Sequence, residues 1–64
     1  MNKYNVEMRE NSNEEFQNWI GDTILAKSEE DALDLAFTWL IENGYNKDLH
    51  EIEYRVLLVE RWNA

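Results

Sequence analysis

Few side chains in this chain could carry covalent or acid–base chemistry. His50 is the only histidine, Ser12 and Ser28 are the only serines, and there is no cysteine. A nucleophile needs a base within hydrogen-bond reach and a third group to hold that base. Neither serine meets this need, and Ser28 is better placed to start a helix. Asp48, His50 and Glu51 are metal-ligand types close together, but they lack an established ligand spacing and read as a solvated turn. The two glycines, Gly21 and Gly44, each sit at a turn and build no phosphate-binding loop. Fourteen acidic residues could include a catalytic carboxylate pair. Such a pair needs a cleft that raises one pKa, and a chain this short has little room for one. The expectation is a non-enzyme without cofactor or metal.

The one dense acidic cluster is Glu29, Glu30, Asp31 and Asp34. It has two readings. One is a helix start that places carboxylates on the positive end of the peptide dipole. The other is a patch that mimics phosphate spacing and docks on a protein that itself binds nucleic acid. The net charge of −8, with six basic residues, disfavours direct phosphate binding, which needs a basic footprint.

The elements that would position these residues centre on Thr23 to Gly44, which reads as a strand running into a capped amphipathic helix. Ser28 is the expected N-cap. Gly44 is the left-handed stop, with Tyr45 folding back onto Leu40. Between them, Ala32, Leu33, Ala36 and Leu40 fall on one apolar stripe at helical spacing. Leu35 and Trp39 flank it on one side, Phe37 and Ile41 on the other. That arc is wider than one small sheet covers, so loops, a partner or a second copy must meet a flank.

Lys3 to Glu10 alternates as a half-buried strand, with Tyr4, Val6 and Met8 on the core side. Glu14 to Asp22 admits two readings. Ser12 and Glu15 could form a capping box for a short helix through Phe16, Trp19 and Ile20. The alternative, which is preferred here, is an irregular strand from about Phe16 to Lys27, bulged at Gly21, that pairs with the first strand. Glu51 to Glu60 is the last strand, with Ile52, Tyr54, Val56 and Leu58 on one face. The order β-β-α-β with a right-handed crossover predicts an α+β fold: one helix on a three-stranded, mainly antiparallel sheet of order 2-1-3. Residues 1 to 64 form a single domain. The N-terminus has no apolar signal core and no run approaches a membrane span, so a cytoplasmic protein is expected.

The pattern Ile24-x-Ala26-x-Ser28-x-x-x-Ala32-Leu33-x-Leu35-Ala36, followed by a glycine and by Arg55-Val56 in a final strand, resembles small phage proteins of β-β-α-β build. The short inhibitors of bacterial RNA polymerase from T7-like phages are among them. The resemblance covers roughly residues 23 to 60. It implies a non-catalytic protein that docks on host machinery, with Arg55 matching one of the arginines that grip the polymerase. Leu57 stands where a second would be expected. The candidate partner-binding residues are therefore Glu29, Glu30 and Asp34 on the helix, and Arg55, Leu57, Val59 and Trp62 on or after the last strand. The competing reading is a homodimer formed through the last strand and its outer face, because an uncovered apolar edge invites pairing.

Overall fold

The computed structural model describes residues 1–61. Strands β1 (Asn2–Arg9), β2 (Ile24–Ala26) and β3 (Glu53–Arg61) form a sheet of order β2-β1-β3, and helix α1 (Glu29–Glu42) lies on one face. Both strand pairs are antiparallel. The α+β architecture and strand order are those the sequence pattern dictates.

Alternation along β1 sends Tyr4, Val6 and Met8 into the core, where Met8 and Val6 are the largest fully buried side chains. Ala26, Ala32, Ala36, Leu40 and Ile52 complete that core. Two of the three buried helix positions are alanines, so the helix backbone approaches the sheet closely. Ser28 Oγ accepts from Asp31 N–H at 3.2 Å, a cap whose removal costs about 1 kcal/mol. At the other end Tyr45 N–H donates to Leu40 O and Gly44 N–H to Ile41 O. This is a Schellman closure, which requires the positive φ of 89° at Gly44.

The segment between β1 and β2 contains no helix. Gln17 forms an isolated antiparallel bridge with Met8, exchanging backbone hydrogen bonds of 2.8 and 3.0 Å. The hairpin reading therefore holds over the short helix. From Gln17 to Ile24 the chain takes more residues than β1 does from Met8 back to Tyr4, and the excess bulges out around Asn18–Asp22. Asn18 stabilises the excursion. Its amide donates to Asn5 Oδ1 at 2.8 Å and to Asp22 O at 2.9 Å, and its Oδ1 accepts from Ile20 and Gly21 N–H.

β3 begins later than the alternation suggests. Leu49–Glu51 is a 3-10 turn, capped by Asp48 Oδ1 accepting from His50 N–H. The ladder with β1 then runs from Glu53 opposite Arg9 to Arg61 opposite Asn2, with one irregularity: Tyr4 faces Leu58 and Lys3 faces Glu60, leaving Val59 as an extra residue.

Candidate partner-binding surfaces

The two sheet faces differ in what they leave unsatisfied. On the face away from α1, β1 and β3 set opposite charges across from one another. Glu7 lies opposite Arg55, Arg9 opposite Glu53 and Lys3 opposite Glu60, and each pair makes an ion pair. Cross-strand pairs of opposite charge support register. Phe16 from the connecting segment lies beneath both arginines, with Arg9 Cζ 4.1 Å and Arg55 Cζ 4.8 Å from the ring centroid. Arg55, a candidate contact residue, is thus engaged by Glu7 and Phe16 within the chain. Leu57 projects from the same face opposite Asn5 and is 43% exposed. Val59 does not continue that face as simple alternation implies, because it is the bulged residue and Glu60 takes the outward position. Val59 is nonetheless well exposed. Trp62 lies outside the described residues.

The helix itself has a different charge composition. α1 carries Glu29, Glu30, Asp31, Asp34 and Glu42 and no basic residue. Four of the six basic residues, Lys3, Arg9, Lys47 and Arg55, form ion pairs with Glu60, Glu53, Glu10 and Glu7.

The acidic cluster is not one patch. Glu29 and Glu30 rim an open groove of about 240 Å³ with Leu33, Tyr54 and Val56, on the β3 side of the helix. Asp31 and Asp34 rim a second, of about 310 Å³, with Met1, Leu25, Lys27 and Leu35 on the β2 side. Leu35 also borders a third depression, of about 510 Å³, with Ile20, Ile24 and Trp39. Leu35 is 50% exposed and Trp39 37%, so the apolar flank read from the helix pattern stays uncovered on this side. On the opposite flank Phe37 packs edge-on against Tyr54 at 5.9 Å between centroids. Trp19 closes the end of the core against Tyr45 at 6.1 Å.

Burial raises the pKa of Tyr45, and the nearby Glu10 adds to the effect. Lys47, which donates to Glu10 at 2.9 Å, is raised by that hydrogen bond and by the carboxylate's charge. Both are structural ties between the helix exit and the end of β1. Among the described residues no group of three His, Cys, Asp or Glu side chains is arranged to hold a metal ion, and no helix is long and apolar enough to cross a membrane.

Sequence reasoning identified the acids and the exposed β3 residues. It missed Asn18, whose four hydrogen bonds fix the loop, and the pairing of Phe16 with two arginines. A lone asparagine beside a Gly-Asp turn was the only available signal for the first. No family model, curated protein or solved structure matches this chain.

Proposed function

We propose that this chain is a non-catalytic protein-binding module that docks through the acidic surface of α1 onto a basic partner, in the first instance a host protein that handles nucleic acid, and inhibits or modulates it. The observation that carries this reading is the segregation of charge. The sheet face neutralises itself with cross-strand pairs, whereas α1 bears five acids and no cation. Exposed carboxylates beside apolar grooves suit a partner that presents lysine or arginine around an aliphatic or aromatic anchor. The resemblance to small phage proteins implies the same class of action.

The test is capture of bacterial proteins on the immobilised chain, followed by identification and direct titration of the retained partner. The charge reversals Glu29→Lys, Glu30→Lys and Asp34→Lys are made together, with circular dichroism to confirm an intact fold. Affinity should fall roughly 3- to 150-fold, since three exposed pairs at about 0.2–1 kcal/mol each sum to roughly 0.6–3 kcal/mol, and it should weaken as salt rises. A partner retained equally well by the triple variant removes α1 from the account.

A further inference from the structure

β3 is an edge strand. One side pairs with β1, and among the described residues no strand lies on the other. It is also the longest strand, and its centre, Val56-Leu57-Leu58-Val59, is a continuous apolar run. Leu58 and Tyr54 are 46% and 49% exposed although they lie on the helix side of the sheet, opposite Tyr4 and Met8. Natural edges are usually kept short or broken by charge. Here the regular stretch from Tyr54 to Leu58 contains one charge, Arg55, and that side chain is engaged by Glu7 and Phe16 on the outer face.

The strand is self-complementary about Val56. We propose that a second copy of this chain pairs antiparallel with the free edge of β3, with Val56 on the two-fold axis, giving a continuous six-stranded sheet with both helices on one face. In this register Tyr54 lies opposite the partner's Leu58, an aromatic–aliphatic pair made twice, and Arg55 lies opposite the partner's Leu57. Centring on Arg55 would set two guanidinium groups against each other, which is destabilising. Centring on Leu57 would carry Glu53 and Arg61 into register. The extra residue at Val59 puts those two on opposite faces, however, since Glu53 pairs outward with Arg9 and Arg61 faces Asn2. The Val56 register keeps like faces together along the unbulged stretch and sets no two like charges opposite each other. β3 is also locally neutral, with Glu53 and Glu60 against Arg55 and Arg61, in a chain of net charge −8.

This inference is independent of the acidic-surface reading, and salt separates the two. Approach of two acidic chains is favoured by screening, so the dimer should tighten as salt rises, whereas a basic partner on α1 should be lost. Sedimentation velocity across a range of concentrations should show a monomer–dimer equilibrium for the native chain. Leu58→Lys, at a site exposed in the monomer, should raise the dissociation constant about tenfold by placing a charge in both symmetry-related pairs. Because the chain has no cysteine, Val56→Cys supplies a single thiol at the axis. Opposed Cα atoms there lie within disulfide reach, so mild oxidation should yield a covalent dimer, and Leu35→Cys on the far helix flank should not. A strictly monomeric native chain overturns the proposal. So does a dimer that cross-links through Leu35→Cys but not Val56→Cys, or a β3 edge that binds only a foreign strand.

Discussion

Met8→Ala tests the packing on which every surface assignment rests. Met8 is completely buried near the end of β1, where it also exchanges backbone bonds with Gln17. The substitution removes three heavy side-chain groups. At about 0.8 kcal/mol each the lost transfer energy is roughly 2.4 kcal/mol. An unfilled cavity adds about 24 cal/mol per Å³, so a residual void of about 40 Å³ brings the total to roughly 3.4 kcal/mol. A domain of this length is stable by only about 3–10 kcal/mol, so the variant should stand near the edge of folding. Urea denaturation followed by tryptophan fluorescence reads this directly. With an m-value of about 1 kcal/mol per molar, the midpoint should move by roughly 3 M or the native baseline should vanish. Ile41→Ala, at an exposed helix position, is the control and should change stability by under about 0.5 kcal/mol. A loss below about 1 kcal/mol for Met8→Ala, or equal losses for the two variants, would refute the placement of the core between β1 and the alanine face of α1.

Two further outcomes are expected. Asn18→Ala should cost about 1–3 kcal/mol and speed hydrogen exchange at Ile20 and Gly21, whose N–H groups it holds, while exchange in α1 is unchanged; slow exchange at both amides would show that the loop does not depend on that side chain. Tyr45 and Lys47 both have folded-state pKa values above their ordinary 10.0 and 10.5, so the native chain holds its protons longer than the unfolded one. Their contribution is complete below those values and is lost as pH rises through the raised ones. The urea midpoint should therefore fall on going from about pH 8 to about pH 11, and Tyr45→Phe with Lys47→Gln should flatten that fall; an unaltered slope would assign it to other groups.

The helix and both long strands were legible because each has a single strong period. Ser28 and Gly44 bound α1, and Tyr4, Val6 and Met8 alternate without a break. The loop was less legible. Phe16, Trp19 and Ile20 fit a helical spacing, yet their contacts diverge: Phe16 goes to the two arginines on the outer sheet face, and Trp19 and Ile20 go to the core. Periodicity reports one buried face and cannot describe a segment that wraps an edge. The bulge at Val59 was hidden for a similar reason, since Leu57, Leu58 and Val59 are all apolar and no alternation marks the extra residue. The acidic cluster was visible as composition. Its division into Glu29 and Glu30 on one flank and Asp31 and Asp34 on the other depends on how α1 is seated.

That seating has a consequence for what the chain can become. Ala32, Ala36 and Leu40, with Leu33 and Phe37 packed against them, anchor α1 in the core, so the exposed helix positions answer mainly to whatever they meet from outside. Charges and anchors along both flanks can be exchanged without disturbing the scaffold, and a library varied only at Glu30, Asp34, Leu35 and Ile41 should yield folded variants with new targets.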